Sequence, residues 1–258
     1  MVTTQETTIT QLITPVITWE KLPDDFQLED EPVENTTQPL IAGALRESLE
    51  LASLIQPEML IASNFGLCAT VNGELVIKAP DWVYIKQVQP IKPEKSRKSY
   101  TPNLQGDIPS IVIEFLSETE GGEYSVKRSY PPGKWYFYEQ ILQVPIYAIF
   151  EPVTGQLEVH YLQNGRYELD KINQNSRYWV EDLKLFLGVW KGEKEQRNGY
   201  WLRWWDEAGN ILPWALEKVE QERQIAEQER QRAAQEHQRA EKLAEFLRSQ
   251  GINPDEIC

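Results

Sequence analysis

The chain has 258 residues, 41% of them apolar, and a formal net charge of −14. That apolar share supports one sizeable packed domain with extensions and excludes a wholly disordered chain. The absence of any run of about 18 apolar residues argues against a membrane-spanning helix, and the acidic balance excludes a protein that coats nucleic acid by bulk attraction, although not one with a local basic patch. Cys68 and Cys258 stand far apart with no His pair near them, so neither a disulfide framework nor a zinc site is expected. With no basic start followed by an apolar stretch at the N-terminus, a cytoplasmic location is expected.

In chain order, residues 1–20 read as a loose tail, followed by an irregular acidic lead-in (Asp24, Asp25, Glu29, Asp30, Glu31, Glu34). Leu40, Ile41, Ala44, Leu45, Ser48, Leu49 and Ala52 recur at helical spacing and predict a helix from about Gln38 to Ile55, with Thr37 as N-cap and Pro57 beyond its end. Short strands are predicted at Met59–Ala62, Gly66–Val71, Leu75–Lys78 and Asp81–Ile85, the middle pair joined by the Asn72-Gly73 hairpin signal. Lys86–Gly106 is Pro-rich and charged and reads as a long loop. Ser110–Leu116 is an apolar run of a kind buried on both faces. A Gly/Pro-rich loop, a helix over Lys134–Leu142, and strands Ile146–Phe150, Gln156–Leu162 and Arg166–Lys171 follow. Strand, crossover helix, strand implies a parallel pair, and the last two strands a hairpin. The Trp-rich stretch 178–214, densest at Tyr200–Asp206, reads as core or edge packing ahead of a stacking platform for bases.

From Trp214 to Arg248 there is no Gly or Pro, and Glu, Gln, Arg and Ala dominate. Val219, Ala226, Ala233, Ala240 and Leu247 share one heptad position, while the position three residues on holds Glu222, Glu229, Glu236 and Leu243. This predicts a helix of about 50 Å, either a weak coiled coil or one held by i,i+4 charge pairs. The domain division is therefore 1–20 tail, 21–213 folded domain, 214–248 long charged helix and 249–258 tail.

Two carboxylates stand out. Asp81 follows Pro80 at a strand start, and Glu114 sits inside the apolar run Ile111–Phe115. A carboxylate in such a run costs several kcal/mol unless it is paired or binds a metal. In one reading the two converge from neighbouring strands on Mg²⁺, which orients a phosphodiester and activates water, with Lys134, or failing that Lys127, adding charge. In the plainer reading Glu114 pairs with a core Lys or Arg and Asp81 caps a turn. His160 and His237 are too few for most His-based chemistry.

The segments Ala79–Tyr84 (APDWVY), Ile111–Ser117 (IVIEFLS), Lys134–Gln140 (KWYFYEQ) and Val144–Pro152 (VPIYAIFEP), in this order, resemble the Uma-two (Uma2) family over roughly residues 25–190. The Gly121–Gly133 insertion looks longer than usual for that family. The resemblance implies a restriction-endonuclease-like mixed sheet flanked by helices. It also implies Asp81 and Glu114 as metal ligands, Lys134 as the catalytic lysine, and Glu47 or Glu50 as a completing helical carboxylate. The superfamily usually places Lys two residues after the Glu; here that position is Leu116.

Two functions follow as expectations. The first is a Mg²⁺-dependent DNA endonuclease with catalytic Asp81, Glu114 and Lys134, the Phe115 carbonyl as a third ligand, and the basic loop from Lys86 through Lys92, Lys95, Arg97 and Lys98 on the DNA backbone. The second is a catalytically inert interaction protein on the same fold that associates through its C-terminal helix. A homodimer suits either.

Overall fold

The computed structural model describes residues 16–21, 36–92, 95–116, 122–170 and 176–251. The acidic lead-in and Cys258 lie outside these, as does most of the N-terminal stretch. The chain divides into two units, Met1–Leu212 and Pro213–Cys258.

The first unit is mixed α/β. Its central sheet has six strands: β2 (Leu60–Ala62), β5 (Trp82–Ile85), β7 (Ile111–Phe115), β8 (Ile146–Glu151), β9 (Gln156–Gln163) and β10 (Arg166–Leu169). Their spatial order is β10-β9-β8-β7-β5-β2. The β7–β8 pair is parallel and the others are antiparallel, as the strand–helix–strand and hairpin signals require. A second sheet joins β1 (Ile17–Thr18), β3 (Gly66–Val71), β4 (Glu74–Lys78) and β6 (Ser99–Tyr100). The β3–β4 turn is Asn72-Gly73, with φ of 53° and 83°. Both angles fall in the left-handed region that a two-residue hairpin turn needs and that Asn and Gly tolerate. The core that fills this unit draws Leu67, Val83, Val112, Phe137, Tyr147 and Ile149 from both sheets and the crossover helix.

Helix α1 (Thr37–Leu51) buries Ile41, Ala44, Leu45, Ser48 and Leu49, the predicted face. It starts one residue early, at Thr37 itself, with Thr36 as a cap that makes no side-chain bond. It stops at Leu51, short of the predicted Ile55. The crossover helix starts as α2 (Lys134–Tyr136) and widens into a π-helical segment (Phe137–Leu142) that ends at Gln143 with φ 56°. Glu139, buried on this helix, accepts bonds from Trp135 Nε1 at 3.3 Å and the Tyr167 amide at 2.7 Å, which pins the helix to β10.

The sequence reading missed a third, antiparallel sheet of β11 (Arg177–Val180), β12 (Leu185–Lys194) and β13 (Arg197–Trp205). Trp201 and Trp204 on it are fully buried, in agreement with the packing reading of the Trp-rich stretch. Residues 16–20 also depart from the expected loose tail, because Ile17 and Thr18 pair with Val71 and Thr70. The long loop is braced by the Val88–Gly106 bridge and by β6 on β3.

Asp182, just after β11, accepts Lys86 Nζ and Ser110 Oγ, each at 2.7 Å. Burial pushes its carboxyl up, but these two bonds outweigh that and hold it below the ordinary carboxylate value. A carboxylate depressed in the folded chain contributes stability above its unfolded pKa, lost as pH falls through the folded value. Asp182→Asn is therefore expected to be less stable than the parent near neutral pH. The gap between the two urea midpoints should narrow as pH falls below the ordinary carboxylate value, and a gap that does not narrow would contradict the assignment.

The second unit contains helix α3 (Ala215–Ser249), 35 residues with none buried. Glu217 accepts the Trp214 amide at 2.8 Å, and i,i+4 pairs such as Arg232–Glu236 and Gln231–Glu227 run along it. No helix among the described residues is long and apolar enough to cross a membrane.

Candidate active site

The β-branched run Ile111–Val112–Ile113 makes β7 a central strand, and its C-terminal end carries Glu114 among apolar neighbours. Trp82 pairs with Ile113 across β5–β7, so one step further Asp81 stands opposite Glu114. The Phe115 amide donates to Asp81 Oδ2 at 2.5 Å. Neither carboxylate could be placed from its own neighbourhood in sequence; the antiparallel register brings them together.

Helix α2 begins over this end of β7. Lys134 and Tyr138, four residues apart, lie on one helix face. Both reach Glu114: Lys134 Nζ donates to Oε2 at 3.1 Å and Tyr138 OH to Oε1 at 3.0 Å. The start of α2 is fixed by a tight approach at Gly133, where a Cβ would come within 2.1 Å of the Ser125 carbonyl oxygen. A short 3-10 turn (Gly122–Tyr124) carries Glu123, whose Oε1 lies 3.7 Å from Lys134 Nζ and whose backbone carbonyl accepts Tyr147 OH at 2.9 Å. From α1, Gln38 Nε2 donates to the Phe115 carbonyl at 3.1 Å.

Glu114 has no solvent exposure. Burial pushes its carboxyl up to about 8; Lys134 and Tyr138 pull it down, and Asp81 adds to the rise. Burial would lower the Lys134 ammonium, but Glu114, Asp81 and Glu123 outweigh it and hold the group above its ordinary value. Tyr138 is raised well above its ordinary value by burial and by Glu114, so it serves as a donor and not as a base. Three carboxylates thus surround one ammonium.

The structure brings Asp81, Glu114 and Lys134 together, and the plainer expectation that Glu114 pairs with a lysine holds as well. Asp81 receives a cross-strand amide, that of Phe115. Glu47 is instead bound by Lys194 Nζ at 2.5 Å, and Glu50 is exposed. They lie about 180° and 120° around the helix from Gln38, which is the α1 residue that reaches the site. Lys127 is exposed on the loop before α2, while Lys134 makes the contact. In the basic loop, Arg97 donates to the Gln89 carbonyl and lies over the Tyr100 ring, and Lys86 is held by Asp182. Lys92, Lys95 and Lys98 are exposed. His160 is buried edge-on to Trp135, with burial lowering its pKa, and His237 is exposed on α3. Both behave as structural or solvated residues.

Three residues of the cluster escaped the sequence reading. Tyr138 had a usable signal, its i+4 spacing from Lys134. Gln38 and Glu123 had none, since one sits in the first turn of a helix and the other in an irregular loop. Leu116, at the usual lysine position, lines an open cleft with Tyr124, Ile149, Glu151, Gln156 and Glu158. That cleft is acidic and does not recruit phosphate unaided.

The donors at this site are all oxygens, the set a hard divalent cation prefers. Among the described residues no three His, Cys, Asp or Glu side chains stand at metal-ligand spacing, and Lys134 Nζ bridges Glu114 and Glu123. In kind, though not in number at ligand spacing, these donors suit a hard divalent cation.

A model of the Uma2 family, described as putative restriction endonuclease, matches residues 31–190, more than half of the chain. No curated protein matches the chain.

Proposed function

Because the chain belongs to the Uma2 family, we propose that it is a Mg²⁺-dependent endonuclease that hydrolyses DNA phosphodiester bonds at the Asp81–Glu114–Lys134 cluster. One observation carries the reading. A fully buried glutamate on a central strand is held by a lysine and a tyrosine from the crossover helix and faces a second carboxylate across the register. An apolar side chain would stabilise this core at lower electrostatic cost. Keeping acid groups here is accounted for by chemistry.

In this reading Asp81 and Glu114 hold the cation, which supplies Lewis-acid polarisation of the phosphate and lowers the pKa of bound water. The Phe115 carbonyl has a second lone pair beyond the one that Gln38 uses. Tyr138 fixes the orientation of Glu114. Lys134 keeps its proton throughout the neutral range and places a positive charge where the phosphate develops negative charge. Lys92, Lys95 and Lys98 supply contacts to the DNA backbone, a local exception to the acidic surface. The restriction-endonuclease-like fold belongs to the same proposal, supported by the parallel β7–β8 pair, its crossover helix, and a site outside the strand C-termini.

The test is cleavage of supercoiled plasmid in Mg²⁺ by the parent, Asp81→Asn and Glu114→Gln. Each variant is expected to lose about a hundredfold or more in rate while keeping its fold by circular dichroism. Undiminished cleavage by both would defeat the assignment. Absence of cleavage in the parent would favour the second reading, an inert interaction protein. Leu116 at the lysine position supports that reading, as do exposed Val219, Ile225, Leu243 and Phe246 on α3.

A further inference from the structure

Strand register carries Glu114 into a row that crosses the central sheet. Glu114 pairs with Ile149 on β8, and Ile149 pairs with Glu158 on β9. Paired residues share one face of a sheet, so Glu158 stands on the same face as Glu114, two strand spacings or about 10 Å along the row. The open cleft lies over this row. It has a volume of about 210 Å³, and its lining includes Leu116, Tyr124, Ile149, Glu151 and Glu158. A space of that size takes one planar ring system, and a nucleotide whose phosphate sits at Glu114 can reach it with its base.

One wall of the cleft is an aromatic ring held in place. Tyr124 stacks on Trp135 with ring centroids 6.3 Å apart and 25° between the planes, and its hydroxyl donates to Glu158 Oε2 at 3.2 Å. The turn that carries it is fixed by Tyr147 OH on the Glu123 carbonyl at 2.9 Å and by the Ser125 amide on the Gly122 carbonyl at 3.1 Å. Tyr124 is nevertheless 41% exposed. Glu151 Oε1 accepts the Val153 amide at 3.0 Å. A carboxylate has about four acceptor sites, so Glu151 keeps capacity for a further donor.

The same loop carries cations beyond the cleft. Lys127 and Arg128 are exposed, and the Gly133 amide donates to the Lys127 carbonyl at 2.9 Å. This arrangement sorts the parts of a nucleotide. Acidic walls repel a phosphate but accept an N–H donor, the ring gives a base a surface to stack on, and the loop cations attract the backbone.

We propose that the cleft receives one unstacked nucleobase of a DNA strand, stacked on Tyr124 and donating its exocyclic amine to Glu151, while Lys127 and Arg128 hold the adjacent phosphates. The inference rests on the nuclease reading above and names its substrate class, which is DNA with an unpaired base beside the cut. A base inside a duplex must first leave its stack, at a cost of a few kcal/mol, whereas a single strand presents it directly. Cytosine and adenine carry the amine and thymine does not, so the cleft favours the first two.

The experiment is fluorescence anisotropy of labelled oligonucleotides with the full chain in EDTA. Metal-dependent cleavage is silent there, so this test can fail while the plasmid test succeeds, and the reverse. The probes are oligo(dC), oligo(dT), and a mixed-sequence strand both free and annealed to its complement. The parent is expected to bind the free strand at least about tenfold more tightly than the duplex, and oligo(dC) more tightly than oligo(dT). Tyr124→Ala should weaken single-strand binding about tenfold and leave duplex binding unchanged, while Tyr124→Phe, which keeps the ring, should bind like the parent. Glu151→Ala should erase the preference for oligo(dC). Equal affinity of the parent for strand and duplex would overturn the proposal, as would a Tyr124→Ala variant that binds like the parent. Equal losses in the Ala and Phe variants would trace the effect to the hydroxyl bond with Glu158 and overturn the stacking. No binding of DNA by the parent would also overturn the proposal, and would leave the metal site to the plasmid test.

Discussion

Lys134→Met is expected to lower the unfolding free energy by about 3–5 kcal/mol, because it leaves Glu114 in the core without its counter-charge. The side chain is 21% exposed and its partner is fully buried, so solvent screening does little to soften the loss. Glu114 has one escape, which is to take up a proton. Keeping a carboxylic acid neutral costs about 1.4 kcal/mol for each pH unit above its ordinary value. The parent already carries this cost up to about 8, and the variant carries it further because losing Lys134 raises the acid again. The sign follows from the raised folded pKa: such an acid contributes stability at low pH that is lost as pH rises towards the folded value. The deficit of Lys134→Met should therefore grow as pH rises past about 8, where the parent's Glu114 ionises beside Lys134 and the variant's does not. Adding Glu114→Gln removes the stranded charge and should restore most of the stability while leaving the site inactive. Urea unfolding of the single and double variants across that pH range measures both. A single variant as stable as the parent in mildly alkaline solution would show that the ion pair does not carry the local fold.

Trp204→Ala is expected to cost about 3–5 kcal/mol, the range for emptying a buried aromatic site. In a domain of this size that lowers the melting temperature by roughly 10 °C. Trp204 is fully buried on β13, packs against Trp82 with ring centroids 5.8 Å apart, and donates its indole N–H to the Leu45 carbonyl at 3.1 Å. Its removal loosens α1, which carries Gln38, and Trp82, which follows Asp81. Thermal melts would reveal the stability loss. Trp204→Phe should recover most of it, apart from the lost indole bond to the Leu45 carbonyl, which still accepts Ser48 Oγ at 3.2 Å, and equal losses in the two variants would mean that the indole bond outweighs the packing.

Much of the architecture was legible because local rules sufficed. The period-3.6 pattern marked the face of α1, Asn72-Gly73 marked a hairpin, and the apolar run around Glu114 marked a strand buried on both faces. Strand position and the family resemblance both pointed to Asp81, Glu114 and Lys134, which the fold brings into one cluster. The Trp-rich β11–β13 sheet was not legible, since its aromatic residues carried a packing signal without a clean alternation. Glu47 and Glu50 looked suitable as helical acids, but helical phase decides which residues face a site, and phase relative to a sheet is not written in the helix itself.

By itself the sequence determined where α1, α3 and the strands of the central sheet form and that one carboxylate would be buried, because hydrophobic period, turn residues and strand propensity act over a few neighbouring residues. Tertiary structure alone decided the company that carboxylate keeps. Strand register set Asp81 against it, the crossover placed Lys134 and Tyr138 over it, and a braced loop delivered Glu123, since electrostatic coupling depends on distances between segments that lie far apart along the chain.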